Sequence, residues 1–228
     1  MPLDESTCAA TGGTPGLRFT GRGAGSTISL MEVEPLLLAS QNDTIRSLVR
    51  ALDLHGPGEA DHAERVATYA VATGEKMGLG DDDLLKLRRG AVLHDVGKIA
   101  IDSSLLCKLG ELTDDDFAAL RMHAAMCETV LSDLPWLDDV VPMIRHHHER
   151  WDGAGYPDGL KQDSIPLGAR IIGVAETFDH LAFGSSYKEP LGTDLAAQVL
   201  MDEAGKQFDP EVVNAFLQVE PLIQPLGT

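Results

Sequence analysis

Apolar residues recur with the period of an α-helix along most of the chain. They are sparse in the first 28 residues, and beyond that point they return every three or four positions. No segment shows the two-residue alternation of a half-buried strand, and the chain contains no internal repeat. The pattern predicts an all-α fold. The expected helices cover 32–54, 61–77, 81–97, 113–131, 136–148 and 166–183, and two terminal helices begin at Thr193 and Asp209.

Residues with known capping preferences mark several of these helix ends. Thr113 followed by Asp116 resembles a capping box, in which each side chain bonds the backbone amide of the other residue. Pro210 follows Asp209 and suits the first position of a helix, where no amide hydrogen is needed. The glycine-rich segment 152–159 is expected to be a loop.

The beginning of the chain differs in composition from the rest. Residues 1–28 contain many Gly, Ser and Thr, and the run from Gly21 to Ser26 is typical of a flexible tail. The Lys-Ser/Thr pair that closes a phosphate-binding loop does not follow this run. We expect a flexible N-terminal tail and lead-in helix over 1–40, and one globular domain over 41–228.

The net charge of −18 argues against polymeric nucleic acid as a partner, because phosphate binding there depends on dense Lys and Arg. A small anionic substrate remains compatible, since bound metal ions supply local positive charge. No apolar run approaches the roughly 18 residues of a membrane span, so no membrane partner is expected. Three cysteines without CxxC spacing indicate a reducing compartment, which predicts a cytoplasmic location.

Several of the eight histidines lie on the apolar faces of predicted helices. His62 aligns with Val66 and Tyr69, and His123 aligns with Leu120. A group of buried imidazoles and carboxylates is costly without partners, and metal ions satisfy both kinds of lone pair. The inward-facing set is His62, His94, His123, His147 and His148, with Glu176 and Asp179. The histidines expected outside it are His55, His146 and His180.

The sharpest local signal is His94-Asp95-Val96-Gly97-Lys98, which follows an apolar run. Adjacent helical residues point about 100° apart, so His94 and Asp95 can serve one metal, or Asp95 can bridge two. Lys98 lies one turn after His94, where its ammonium group can meet a substrate phosphate. The alternative is a simple helix end with a glycine cap and a lysine that offsets the helix dipole.

Two longer motifs resemble a known enzyme family. Leu93-His94-Asp95-Val96-Gly97-Lys98 resembles the signature of the HD superfamily of metal-dependent phosphohydrolases. The segment HHERWDGAGYP at 147–157 resembles the HD-GYP subgroup, as do DGL at 158–160, IPLGARII at 165–172 and Phe208-Asp209-Pro210. The similarity extends over residues 45–220, which corresponds to the predicted domain.

The resemblance implies an HD-type helical bundle with a buried multi-metal site. It implies two divalent metal ions, iron or manganese, with a third in some members, and hydrolysis of cyclic di-GMP to the linear dinucleotide or GMP. Asp95 would bridge the metals, and Lys98 would act in catalysis beside the substrate phosphate. The signature loop Gly155-Tyr156-Pro157 would shape the site and contact a signalling protein. The positions that match metal ligands are His62, His94, Asp95, His123, His147 and His148.

Two positions near the C-terminal motifs depart from the family pattern. Glu176 replaces the usual aspartate, and we retain it as a metal ligand because it keeps an oxygen donor. Ser185 stands where an arginine usually grips a substrate phosphate, a contact that serine cannot replace. Tyr187 and Lys188 are then the expected substrate contacts in this segment.

Two other carboxylates bear on the metal count and on ligand orientation. Some three-metal members of the family have an extra glutamate ligand upstream of the first histidine. This chain has no clear counterpart, since Gly58 lies four residues before His62 and Glu59 lies three before it. We therefore expect two metals. Asp179 is expected either to orient a metal ligand or to accept a hydrogen bond from a neighbouring helix end.

The departures leave two alternatives to hydrolysis of cyclic di-GMP. The substrate can be another cyclic dinucleotide, a linear dinucleotide or a nucleotide monoester. The chain can also be a non-catalytic signalling module that binds a ligand or partner through a metal-loaded fold. A bundle without metal does not explain the inward histidines. The sequence pattern does not determine the oligomeric state.

Overall fold

The computed structural model describes residues 30–108, 112–184 and 189–223, without the side chains of 30–34 and Leu222. The described residues form no β-strand, and a single isolated bridge joins Ala204 to Phe208. The α-helices are α1 (Leu30–His55), α2 (Glu59–Lys76), α3 (Asp81–Leu93), α4 (Ser103–Leu106), α5 (Asp114–Leu131), α6 (Val141–Arg145), α7 (Leu167–Phe183), α8 (Thr193–Asp202) and α9 (Pro210–Val219). Short 3₁₀ helices cover Val96–Ala100, Pro135–Leu137, Gln162–Ser164 and Glu220–Leu222. The predicted all-α fold is confirmed.

The chain divides into two compact units, Met1–Leu38 and Ala39–Thr228. Of the first unit the structure describes only the beginning of α1, so all features discussed below belong to the second. The division into a tail over 1–40 and a domain over 41–228 stays a prediction. None of the described helices combines the length and the apolar character that crossing a membrane requires.

The capping residues act as their sequence patterns predict. The Thr113 hydroxyl accepts a hydrogen bond from the Asp116 amide at 3.2 Å, and the Asp116 carboxylate accepts one from the Thr113 amide at 2.8 Å. Asp209 caps α9 by accepting from the amide of Glu211 at 2.9 Å, with Pro210 in the first position of the helix. These caps satisfy amides that have no partner within the first helical turn.

Helix α7 lies at the centre of the bundle, where it contacts α2, α3, α6, α8 and α9. Its Phe178 packs against Tyr69 of α2 and Phe216 of α9, with ring centroids 5.2 and 5.0 Å away. Burial of each such side chain stabilises the fold by about 1.5–3 kcal/mol. The same helix carries Glu176 and Asp179, which are 5% and 0% exposed, into the interior. The core thus positions two carboxylates.

Two predicted helices end earlier than expected. α3 stops at Leu93, because the following turn lies so close to α5 that a Cβ on Gly97 would sit 1.9 Å from the carbonyl oxygen of His123. The helix predicted over 136–148 is broken into Pro135–Leu137 and α6. Proline lacks an amide hydrogen and blocks the preceding helical turn, so Pro142 starts a new helix instead of continuing the old one.

Candidate metal centre

The end of α3 places the His-Asp pair in the protein interior. His94 is fully buried and Asp95 is 2% exposed. Because a carbonyl oxygen can only accept, His94 donates from Nδ1 to the carbonyl oxygen of Ala91 at 2.7 Å. Its other ring nitrogen, Nε2, lies 3.2 Å from Asp95 Oδ2. The two adjacent residues aim these atoms at one place.

Residues from α2, the end of α3 and α7 form a first group of potential ligands, with one ligand atom of each within 4.8 Å of the others: His62, His94, Asp95 and Glu176. The Nε2 atoms of His62 and His94 are 3.3 Å apart. Asp179 accepts a hydrogen bond from His62 Nδ1 at 2.7 Å, and Arg65 donates to the two Asp179 oxygens at 2.6 and 2.8 Å. This arrangement fixes the His62 ring and leaves its Nε2 free.

A second group lies beside the first and consists of imidazoles: His123, His147 and His148. His123 and His147 each donate from Nδ1 to the carbonyl oxygen three residues earlier, and their Nε2 atoms are 3.4 Å apart. Asp95 Oδ1 lies 3.3 Å from His123 Nε2, whereas Asp95 Oδ2 belongs to the first group. Glu176 lies 3.7 and 3.8 Å from the Nε2 atoms of His147 and His148. Both carboxylates therefore lie between the groups.

The donor set fits divalent metal ions. Both oxygens of Asp95 are buried; Lys98 Nζ lies 2.7 Å from Oδ2, whereas Oδ1 accepts no hydrogen bond from the described residues. A buried carboxylate oxygen without a hydrogen bond is costly, and the facing Nε2 lone pairs of His123 and His147 add repulsion. Cations between the groups would remove both penalties, and imidazole nitrogen with carboxylate oxygen suits iron, manganese or zinc.

The charge states of Asp95, His147 and His148 favour ligation. Burial lowers the pKa of His94, but Asp95 outweighs it and raises this pKa to about 9, and burial raises the pKa of Glu176 to about 8, so a bound cation would displace protons there. Burial opposes ionisation of Asp95, but the neighbouring Lys98 and His94 outweigh it and hold the pKa of Asp95 well below its usual range. Burial lowers the pKa of both His147 and His148 well below the usual value, and nearby histidines lower each further. Asp95 is therefore a carboxylate near neutral pH, while these two rings are neutral and offer lone pairs.

The signature loop Gly155-Tyr156-Pro157 forms one wall of the centre. The Tyr156 ring stacks on His148, with centroids 4.8 Å apart and planes inclined by 28°. The guanidinium of Arg121 lies over the Tyr156 ring, with its Cζ 5.3 Å from the ring centroid. The loop passes so close to the backbone that a Cβ on Gly155 would lie 2.3 Å from the amide nitrogen of Arg150. Glycine is therefore required at that position.

A cleft of about 710 Å³ opens onto both groups of ligands. This volume lies in the range of small-molecule sites. Its polar walls include His62, Asp95, Lys98, Arg121, His123, His148, Tyr156, Glu176 and His180. Its apolar walls include Leu106, Phe117, Leu120 and Phe183. The cleft can therefore receive a ligand that carries both charged and flat apolar parts.

Comparison with known proteins identifies the family. The sequence matches the HD domain family over residues 46–212. The chain belongs to the HD domain family. It is 36% identical over 197 residues to the cyclic di-GMP phosphodiesterase response regulator RpfG of Xanthomonas campestris, with 82% of this chain and 52% of RpfG covered.

A second relative and a solved structure agree with this assignment. The chain is 35% identical over 166 residues to the 3'3'-cGAMP-specific phosphodiesterase 3 of Vibrio cholerae, with 73% of this chain and 36% of the relative covered. The fold resembles a crystal structure of a cyclic GMP-AMP-specific phosphodiesterase of V. cholerae, with a TM-score of 0.61, 23% identity, and 78% and 48% of the two chains covered. This HD domain spans about half, or less, of the length of the curated relatives.

Lys98 of the HD motif is held by a residue that sequence reasoning left out of the site. Its Nζ donates to the two oxygens of Glu59 at 3.0 and 3.1 Å and lies 2.7 Å from Asp95 Oδ2. Burial opposes the charge of Lys98, but Asp95 and Glu59 outweigh it and raise the pKa of the ammonium group. The available signal was the position of Glu59, one helical turn before His62 on α2.

His180 also belongs beside the centre of this HD domain, so the expectation that it lies outside was wrong. Its ring stacks on His62, with centroids 4.4 Å apart and planes inclined by 6°. Its Nδ1 lies 3.8 Å from Glu176 Oε1, and the side chain lines the cleft. The missed signal is the spacing of four residues between Glu176 and His180, which places both on one face of α7.

The remaining sequence-predicted residues fall into two sets. His55 lies apart from the centre, where its Nε2 is 2.6 Å from the carbonyl oxygen of Ile101. His146 contacts Asp158 at 2.9 Å and faces away from the two ligand groups, as expected. Ser185 and the predicted substrate contacts Tyr187 and Lys188 lie outside the described residues.

Proposed function

We propose that this chain is a metal-dependent phosphodiesterase that hydrolyses cyclic di-GMP to the linear dinucleotide or GMP. The observation that carries the proposal is the position of Asp95, whose two buried oxygens face the two ligand groups at the floor of the cleft. A carboxylate in this position suits a bridge between two cations. The activity named for RpfG supports cyclic di-GMP as the substrate.

In this proposal the ligands come from both groups: His62, His94, Asp95, His123, His147, His148 and Glu176. Bound divalent cations would acidify a water molecule and offset charge on the phosphoryl oxygens. Lys98 donates to a phosphoryl oxygen of the reacting phosphodiester, and Glu59 keeps its ammonium group beside Asp95. Asp179, held by Arg65, keeps the His62 ring oriented toward the cation.

Two cations, iron or manganese, fit these residues better than three. The Glu59 carboxylate, the nearest counterpart of a third-metal ligand, has both oxygens engaged by Lys98. The imidazole and carboxylate ligands are those that Fe(II) and Mn(II) accept. We further propose a cytoplasmic location, consistent with the free thiols of Cys107 and Cys127, and contact of a signalling protein with the signature loop.

A second candidate substrate is 3'3'-cGAMP. The V. cholerae relative that is specific for this molecule is about as similar to the chain as RpfG. Both molecules are cyclic dinucleotides with two phosphodiester groups, so the same centre serves either one. The choice between them depends on contacts with the bases.

Product analysis with both cyclic dinucleotides tests the proposal. The purified protein is loaded anaerobically with Fe(II), and separately with Mn(II), and then incubated with each substrate. We expect linear dinucleotide or mononucleotide from the wild type and none from Asp95→Ala. Asp139→Ala is the matched control, because this carboxylate is exposed, pairs with Lys86 at 3.3 Å and does not line the cleft. Bound metal without any product would instead favour a non-catalytic signalling module.

A further inference from the structure

A cyclic dinucleotide brings two phosphodiester groups into the cleft, of which one reacts at a time. The second phosphate also needs a positively charged partner, because Glu59, Asp95 and Glu176 line the same cleft and the chain carries a net charge of −18. Apart from histidines, the described cleft wall presents two cationic side chains, Lys98 and Arg121. Their surroundings differ, and that difference indicates separate roles.

Lys98 belongs to the proposed reacting centre, where Glu59 and Asp95 surround its ammonium group. Arg121 has no carboxylate partner anywhere in the part of the chain that the structure describes. Most other described arginines of the domain do have such partners, for example Arg65 with Asp179, Arg145 with Asp158, Arg150 with Asp152 and Arg170 with Asp209, and of the described arginines without one only Arg121 lines this cleft. No described residue therefore occupies the hydrogen-bond donors of the Arg121 guanidinium, which suits them to an anion.

Aromatic packing holds this free guanidinium at the edge of the cleft. Its Cζ lies 5.3 Å from the centroid of the Tyr156 ring, which in turn stacks on His148 at 4.8 Å. Stacking on an aromatic face orients the guanidinium plane without using its N–H groups. Arg121 also lies two residues before His123 on α5, so it is adjacent to the second ligand group.

We propose that Arg121 binds the non-reacting phosphate of the cyclic dinucleotide through a bidentate contact. The inference rests on the proposed hydrolysis of a cyclic dinucleotide and adds a substrate-selecting residue to it. A guanidinium suits this task because its planar pair of donors matches two phosphoryl oxygens. Arg121 would thus supply, from α5, a phosphate contact of the kind that Ser185 cannot make.

The test compares a substrate that has two phosphates with one that has a single phosphate. Steady-state kinetics of the Mn(II)-loaded wild type and of Arg121→Gln are measured with the preferred cyclic dinucleotide and with bis(p-nitrophenyl) phosphate. We expect KM for the dinucleotide to rise by about 10- to 100-fold, as for loss of a hydrogen-bonded ion pair. The constants for the one-phosphate ester should stay within about twofold, since a group that contacts only the second phosphate does not touch it.

Two further variants make the comparison specific. Arg50→Gln removes the same charge from an exposed residue of α1 outside the cleft. It should leave the kinetic constants for both substrates unchanged. Arg121→Lys keeps the charge but loses the paired donors, so its KM for the dinucleotide should lie between wild type and Arg121→Gln. Metal content and melting temperature, measured for every variant, should match those of the wild type.

Each contrary outcome has a distinct meaning. If Arg121→Gln impairs both substrates equally, the arginine acts only by supporting Tyr156, and the inference is overturned. If the wild type cleaves the dinucleotide and Arg121→Gln does so with an unchanged KM, the inference alone fails. If the wild type cleaves the ester but no cyclic dinucleotide, the proposed function fails, and the inference falls with it.

Discussion

Metal-binding residue types come together at two places in this domain, the metal centre described above and a second cluster near the surface. The two places differ in how far their central carboxylate is already paired. The first, here called the central group, consists of the two ligand groups of the metal centre and contains Asp95, whose buried Oδ1 accepts no hydrogen bond from the described residues. The second, here called the surface cluster, consists of His146, Glu149 and Asp158, whose ligand atoms also lie within 4.8 Å of one another. In the surface cluster, however, Asp158 accepts two hydrogen bonds from Arg145 and one from His146, all at 2.9 Å.

The comparison teaches that proximity of ligand types is a weak criterion for a metal site. The carboxylate of Asp158 already has cationic partners from the protein, so a metal ion would have to displace Arg145. The carboxylate of Asp95 has Lys98 on one side and open coordination positions toward two histidine groups. Glu149 of the surface cluster also has a buried oxygen, Oε2, without a hydrogen bond from the described residues. The difference therefore lies in the central carboxylate: Asp95 faces histidines on two sides, whereas Asp158 is already held by Arg145.

The largest expected effect comes from removing the carboxylate that faces both ligand groups. Asp95→Ala should lose bound metal and reduce turnover by at least about 1000-fold, since metal ions supply several kcal/mol of transition-state stabilisation. Metal analysis of the purified variants, together with product analysis, measures both effects. Asp158→Ala, the equivalent change in the surface cluster, should retain the wild-type metal content. Full metal occupancy in Asp95→Ala would contradict the assignment.

Removal of metal should destabilise the protein because the central group loses its bound cations, and the surface cluster should not contribute to this loss. With metal at about 100 times its dissociation constant, binding contributes about 2.7 kcal/mol to the free energy of unfolding. For a domain of this size that corresponds to a melting temperature roughly 5–10 °C lower after chelation. Differential scanning fluorimetry with and without a chelator measures the shift. The melting temperature of Asp95→Ala should change little on chelation. A shift equal to that of the wild type would mean that the stabilising metal binds at another site.

A smaller effect is expected when the carboxylate behind a ligand is changed and the ligands stay intact. Asp179→Asn keeps the shape of the side chain but removes the charge that holds His62 and Arg65. Loss of such a supporting carboxylate typically lowers metal affinity by about 10- to 100-fold. Competition with a metal-binding dye measures the dissociation constant. Unchanged affinity would mean that Asp179 serves only the packing of α2 against α7.

The parts of this arrangement that are local in sequence could be predicted from it. The pairs His94-Asp95 and His147-His148 are adjacent residues, and Glu176 lies on the apolar stripe of α7, so pattern and motif reveal them. The helix caps follow the same rule, because each depends on residues within one turn. The interruption by Pro142 also follows from the sequence, because proline disfavours the interior of a helix.

The contacts between distant segments could not be predicted from the pattern. Asp179 and His62 are 117 residues apart, so whether this carboxylate supports a ligand or an unrelated helix end depends on how α2 packs against α7. The same holds for Glu59 on Lys98, which α2 and the turn after α3 bring together. Helical periodicity gives the face of a side chain but not the partner that the face meets.

The smallest expected effect is on the stability of the surface cluster, and it tests whether Asp158 serves there as an ion-pair partner and not as a metal ligand. Arg145 and His146 hold the pKa of Asp158 below its usual range, and the backbone amide of Asp158 donates to Glu149 at 2.7 Å. A lowered pKa stabilises the fold above the ordinary aspartate pKa of about 3.9, and the contribution is lost as the pH falls below it. Asp158→Asn should therefore lower the melting temperature of metal-free protein at pH 7 by no more than about 3 °C, because the pair is exposed.

The pH dependence of this difference identifies its origin. At pH 3 the difference between the melting temperatures of the wild type and Asp158→Asn should be smaller than at pH 7, since unfolded wild type then gains a proton that folding must remove. Thermal melts in the presence of a chelator, at both pH values, exclude any contribution of the metal centre. A difference that persists unchanged at pH 3 would indicate lost packing instead of a lost ion pair. A difference that depends on added metal would show that the surface cluster, despite its satisfied carboxylate, binds a cation.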